Sequence, residues 1–247
     1  MVSRETLKRE TRNLYSGHWG QAIRLNILPI LGRLLVGILL MTLAVLVAFI
    51  VASHPDWQHV MNQASGNGDG TSNGGNGVSS FISEAIGTFI LVGIGYTSLD
   101  WFRSGQAPEK PFREAFSTFS SRYFTSTLAI FILTFIFTTL WSLLFLIPGL
   151  IKSISYSQAY NIYKDKVDHG DVSYLDCITE SRHLMNGHKW AYFWLQISFW
   201  GWGILSLCTF GIGFIWLIPY INGTNINFYR HLVDQEDQTK ANVQAAA

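Results

Sequence analysis

The chain has 247 residues, 49% of them hydrophobic and only 13% charged, with a formal net charge of +1. Soluble domains carry about 25% charged residues, so this composition excludes an ordinary water-soluble fold, and no nucleic-acid partner is expected. The 9 Trp, 10 Tyr and 17 Phe fit a membrane protein, because amphipathic rings collect at the two membrane interfaces.

The first element expected is a helix over Arg4 to Tyr15, with Leu7, Thr11 and Leu14 on one face and Arg4, Lys8 and Arg12 elsewhere. It is too short to span and is expected to lie in the cytoplasmic interface, apolar side toward the acyl chains and basic side toward the headgroups. Its end reads "RNLYSGH", Arg12 to His18, and "RHLMNGH" at Arg182 to His188 repeats Arg, Leu, Gly and His at the same four offsets. Gly17 and Gly187 are expected to end their helices. Arg12, His18, Arg182 and His188 are the candidate headgroup-binding residues.

Crossing the hydrocarbon takes about 20 apolar residues in a helix. Leu34 to Ala52 carries no charge and is expected to cross once. Residues 53–80 follow as an external loop whose Gly/Asn-rich part, Ser65 to Gly77, lacks the bidentate Glu of a calcium loop and reads as a flexible linker. Ala85 to Leu99, interrupted by three glycines, is a weaker second segment. Phe112, Ala115, Phe116, Phe119 and Tyr123 then follow helical spacing, a second interfacial helix. Tyr123 to Ile151 is uncharged, and Leu150 to Tyr163 is a more polar segment holding Lys152. Leu175, Ile178 and Met185 mark a third interfacial helix. Trp190 to Tyr229 is again uncharged, long enough for two crossings around Gly211-Ile212-Gly213. Residues 234–247 form a flexible cytoplasmic tail.

Lys and Arg are absent from Ser53 to Ser80 and from the turn at Gly211, and the turn at Pro148-Gly149 has only Lys152. The positive-inside rule therefore gives six spans with both termini cytoplasmic. Aligning Gly149 with Gly213 superposes Tyr156 on Tyr220 and Asn161 on Asn225 without a gap, and "TSLDWFR" at Thr97 reads against "TNINFYR" at Thr224. The expected fold is an all-α polytopic membrane bundle, one domain over residues 1–233. Its six transmembrane helices form three repeats, approximately 1–103, 108–166 and 171–233, each an interfacial amphipathic helix plus a helical hairpin.

The stretches "GHWGQAI", "IPGLIKSISYSQAY", "SRHLMNGHKWAYFWLQISF" and "GIGFIWLIPY" resemble a family of uncharacterised bacterial integral membrane proteins, mostly from Gram-positive species. They are distantly similar to the membrane domain of some glycerophosphodiester phosphodiesterases. The resemblance implies a helical bundle in the bacterial plasma membrane and carries no established activity, so it assigns no site residues.

No zinc, P-loop or hydrolase motif occurs, so no catalytic residue, metal or cofactor is expected. Arg33 and Asp100 lie near cytoplasmic ends, and Glu84 and Lys152 near outer ends, where they could pair across repeats. The stripe Tyr156, Tyr160, Asn161 and Tyr163, with its counterpart Tyr220, Asn222, Thr224, Asn225 and Asn227, must face the interior, because amides in lipid lack partners. Two readings stay open there, packing glue between helices or the wall of a polar ligand cavity. The first expected function is binding or moving a lipid or other amphiphile through that cavity. The alternative is a noncatalytic membrane scaffold or accessory subunit in envelope maintenance. Membrane lipids are the expected partners, and no protein partner is readable.

Overall fold

A computed structural model describes residues 3–32, 35, 42–43, 45–46, 74–144, 146–167 and 173–246. Most of the first expected span, Arg33, His54, His59 and the Gly/Asn-rich stretch up to residue 73 lie outside the described residues. Among the described residues there is no strand, and the fold is all-helical.

Helix α1 spans Arg4–Tyr15. Ser3 caps it by accepting a hydrogen bond from the Thr6 amide at 3.1 Å, and Glu5 and Arg12 sit at the ends that the helix dipole favours. Leu7, Thr11 and Tyr15, spaced four apart, are fully buried. They are buried by protein: α1 packs on the C-terminal helix, which corrects the expectation that its apolar side faces acyl chains. A one-sided stripe reads the same whether lipid or another helix covers it.

Gly17 then takes φ +81° between α1 and α2 (Trp19–Leu25). The second copy of the phrase is built alike. Gly187, also at φ +81°, joins helix α8 (Tyr174–Leu184) to α9 (Lys189–Cys208). His18 N donates to Tyr15 O at 2.9 Å and His188 N to Met185 O at 3.1 Å, the same register in both. No atom crowds either glycine, so the left-handed backbone alone selects it.

Helix α3 spans Gly74–Ser104 and so begins inside the stretch expected as loop. The next segment departs from expectation too. In place of one helix through Phe112 to Tyr123 there is a short α4 (Pro111–Glu114), a 3₁₀ turn (Ser117–Phe119) and an extended Ser120 before α5 (Ser121–Leu144). Hydrogen bonds to α3 hold this broken path, Thr118 Oγ1 to Phe89 O at 2.7 Å and Thr97 Oγ1 to Glu114 O at 3.3 Å.

Two hairpins follow, α5 with α6 (Leu146–Tyr156) and α9 with α10 (Phe214–Ala246). A Cβ on Gly149 would lie 2.3 Å from Ser142 Oγ, and one on Gly213 2.5 Å from Ser206 Oγ. Each pair is seven residues apart, so both hairpins close over the same Ser–Gly contact. Helix α7 (Ala159–Lys166) continues α6 after a break at Ser157-Gln158. Ser181 of α8 bridges that break, accepting from Gln158 N at 3.2 Å and donating to Ser155 O at 2.8 Å.

Two helices among the described residues, Glu84–Ser104 and Ser121–Leu143, are long and apolar enough to cross a membrane. The first is mostly buried, the second mostly exposed. Neither α9 nor the start of α10 reaches that threshold: four Trp and two Gly dilute α9, and Pro219, Asn222, Gly223, Asn225 and Asn227 dilute α10. The expected flexible tail is instead helix, α10 running to Ala246, with Lys240 paired to Glu236 one turn earlier.

Candidate functional site

Most amides of the stripe find partners within the protein, although the buried Asn227 Oδ1 accepts no hydrogen bond among the described residues. Asn161 Nδ2 donates to Gln158 Oε1 at 3.0 Å, Asn225 Oδ1 accepts from Gln196 Nε2 at 2.7 Å, and Asn222 Nδ2 donates to Asn26 Oδ1 at 2.6 Å. Tyr156 packs on Phe137 and Tyr220 edge-on against Phe199, each ring inside its own hairpin. Tyr160 and Tyr163 also join the core, and Tyr163 Oη meets Ser126 Oγ at 2.6 Å. Tyr156 and Tyr220 thus pack alike inside their own hairpins, whereas Asn161 bonds locally, three residues back, and Asn225 bonds across to α9.

A charged knot ties the ends of the polar helices together. Arg103 grips Asp165 through two bonds of 2.7 and 2.8 Å, and Tyr229 Oη donates to the same carboxylate at 2.7 Å. Lys164 pairs with Asp100 at 2.6 Å and reaches the Tyr96 carbonyl. On α1, Glu10 Oε2 receives Asn227 Nδ2 at 2.9 Å, Arg230 at 3.3 Å and His231 Nε2 at 2.6 Å. Burial pushes the Glu10 carboxyl up, but the hydrogen bonds and charges of His231, Asn227 and Arg230 outweigh it and hold it below the usual carboxylate range. In the other copy of the phrase, Glu180 takes the place of Glu10 and pairs with Lys166. Glu10, Asn26 and Gln196 are functional or structural partners that the sequence reading passed over. The missed signal is that the repeated phrase extends two residues upstream, Glu10-Thr11 matching Glu180-Ser181.

One open feature among the described residues is a groove where α1 crosses α9 and α10. Its apolar part, about 350 Å³, is lined by Trp19, Trp202, Leu205, Trp216, Leu217 and Tyr220, with Arg12 at one end. An adjoining polar part of about 430 Å³ shares Arg12, Trp202 and Tyr220 and adds Glu5, Thr6, Lys8 and Arg9. Lys8 lies 4.3 Å from the Phe199 ring centroid, and its backbone carbonyl accepts from Tyr220 Oη at 3.3 Å. Arg9 and Arg12 are exposed and in no ion pair among the described residues.

The four headgroup candidates are separated. Arg12 lines the groove, while Arg182 sits on α8 near Lys152 and Lys189. His18 presents its ring edge to Trp101, and His188 is partly buried, which lowers its pKa. Lys152 stands over the Trp141 ring at 4.5 Å and does not pair with Glu84. Among the described residues no group of His, Cys, Asp or Glu could hold a metal ion.

The described residues thus form an all-helical protein with two helices long and apolar enough to cross a membrane and with many large apolar side chains exposed. The chain belongs to the family described as "Protein of unknown function (DUF975)", whose model matches residues 1–166 and again residues 143–236. No curated protein matches it. No solved structure matches it either.

Proposed function

We propose that the protein is a six-span protein of the bacterial plasma membrane, both termini cytoplasmic, that binds or moves a lipid or other amphiphile. The observation that carries this reading is where the apolar groove opens. It lies on the α9–α10 hairpin, beside Trp200, Trp202, Leu205, Leu207 and Trp216, all exposed and in a run free of charge. Large apolar patches rimmed by polar groups mark membrane or ligand surfaces. The amphiphile thus binds from the bilayer side, and the interior amide stripe serves as packing. Two matches of one family model that overlap at residues 143–166 agree with an internally repeated chain, as do the two Gly17-type turns and the two Ser–Gly hairpins. The scaffold reading draws on the hydrogen bonds that Asn161, Asn222 and Asn225 make within the protein. Lipid analysis of the protein purified in a mild detergent decides between them. A stoichiometric amphiphile that leaves when Leu205 and Leu217 are both replaced by Gln supports binding; its absence from the wild type leaves the scaffold.

A further inference from the structure

We infer that the groove is selective for a phospholipid whose headgroup carries net negative charge, held by Arg9 and Arg12 with an acyl chain under Trp202 and Trp216. The inference rests on the amphiphile reading and adds the chemical class. The two parts of the groove share Arg12, Trp202 and Tyr220, so the charged mouth and the apolar trench are one continuous site. Their sizes fall in the range of small-molecule sites, about 300–1,000 Å³.

Charge decides the headgroup. The mouth carries Lys8, Arg9 and Arg12 against Glu5, an excess of two positive charges from three cations and one anion. Lys8 is partly committed, its ammonium on the Phe199 face and within 3.5 Å of Ser198 O. The two guanidinium groups are free to take phosphate oxygens, whose geometry they match two bonds at a time. Glu10, next to Arg9 in the sequence, does not line the mouth and is occupied by Asn227, Arg230 and His231. A zwitterionic lipid would bring its own cation into this mouth and gain less.

The rest of the ligand is read from the trench. Trp19, Trp202 and Trp216 flank it, rings that favour the headgroup level with their apolar bodies toward chains. The related position over the other hairpin differs in one decisive residue. Arg182 stands where Arg12 does in the phrase, but Lys152 occupies the place of Trp216 and covers Trp141. That hairpin has cations without the trench, so no second lipid of this kind is expected there.

The test reconstitutes the full-length protein in nanodiscs of equal parts phosphatidylglycerol and phosphatidylcholine, extracts it into detergent and counts retained lipids by native mass spectrometry. The wild type should retain one phosphatidylglycerol in preference to phosphatidylcholine. Arg9→Gln with Arg12→Gln should weaken that preference by about 30-fold, two juxtamembrane charges at about 1 kcal/mol each. Arg9→Lys with Arg12→Lys keeps the charge and loses the paired bonds, so it should keep part of the preference, falling between the wild type and the Gln variant. Trp216→Lys should lower retention of both lipids. Retention of lipid with no preference by charge, or a preference unchanged in the Gln variant, overturns the inference while sparing the amphiphile reading. Retention of no lipid by the wild type removes both. Displacement of bound phosphatidylglycerol by millimolar inorganic phosphate would assign the mouth to free phosphate and overturn the lipid assignment.

Discussion

Replacing Gly223 by Ala tests the packing that seats α1. A Cβ there would lie 2.3 Å from Tyr15 Oη, 2.8 Å from Tyr15 Cζ and 2.9 Å from Thr11 Cγ2. Tyr15 cannot retreat: it is fully buried, with ring centroids 4.9 Å from Trp101 and 5.5 Å from Trp19. Overpacking at so enclosed a site costs about 3 kcal/mol, and the better helix propensity of Ala returns about 1 kcal/mol, leaving a net loss of about 2 kcal/mol. Gly201 on α9 is the control, since nothing lies within 4 Å of its Cβ position and only the propensity gain applies. Reversible unfolding in mixed micelles, followed by circular dichroism, should show Gly223→Ala destabilised and Gly201→Ala unchanged or stabilised. Tyr15→Phe removes the closest atom. Measured against Tyr15→Phe alone, the Gly223→Ala cost should fall by about half, a coupling between touching residues. A Gly223→Ala protein as stable as wild type would refute the close crossing of α1 over α10, and so would a cost indifferent to residue 15.

The Glu10 latch predicts a pH dependence. Its carboxyl titrates lower folded than unfolded, so its contribution is present above the ordinary glutamate value and lost as pH falls through the folded one. The melting temperature of the wild type should fall as pH drops below about 4.3, and Glu10→Gln should lose that component; an identical acid profile in both proteins counts against the latch. The two cysteines predict the topology. Cys208 is exposed next to the α9–α10 turn and should react with an impermeant maleimide on intact cells. Cys177 is buried with its thiol pushed up to about 11, so it should stay unreacted in the folded protein even after lysis. A Cys208 that stays unlabelled on intact cells but reacts after lysis would invert the proposed orientation.

What was legible in the sequence is what a local rule fixes. A left-handed residue after a helix favours Gly, so Gly17 and Gly187 announced the two like-built junctions, whereas Phe210 at φ 54° after α9 gave no such signal. A tight hairpin needs a small residue opposite a small residue, so aligning Gly149 with Gly213 found the turns, although Ser142 and Ser206 went unread. The end of α1 before Gly17 followed from that glycine, whereas the Ser3 cap at its start went unread. What was missed depends on partners distant in the chain. Asn222 meets Asn26 and Asn225 meets Gln196, pairings no periodicity encodes. The break at Ser120 overrode a helical pattern of aromatics because Thr118 and Thr97 tie that segment to α3. The polar run after Val233 read as coil, yet it continues an established helix and so avoids the cost of nucleation.

In the proposed three-unit reading, each surface segment seats on another unit's polar helix: α1 on α10, residues 111–119 on α3, and α8 on α6 and α7. Glu10 to Arg230 and Glu180 to Lys166 are the same hook at matching positions. The first helix thus finds its seat only when the last is made, across more than 200 residues of chain. Contacts of that separation are closed late and at high entropic cost, so the bundle should gain α1 as its final step. Arg9 and Arg12 project from that same helix. The groove is therefore assembled by the latch: Gly223 and Glu10 touch no lipid, yet displacing α1 at either removes the charged mouth from above the Trp202–Trp216 trench. On the proposed lipid reading, selectivity and closure of the fold form one equilibrium, and a variant that loosens the contacts of Glu10 should lose the preference for anionic headgroups in proportion to the fraction of α1 undocked.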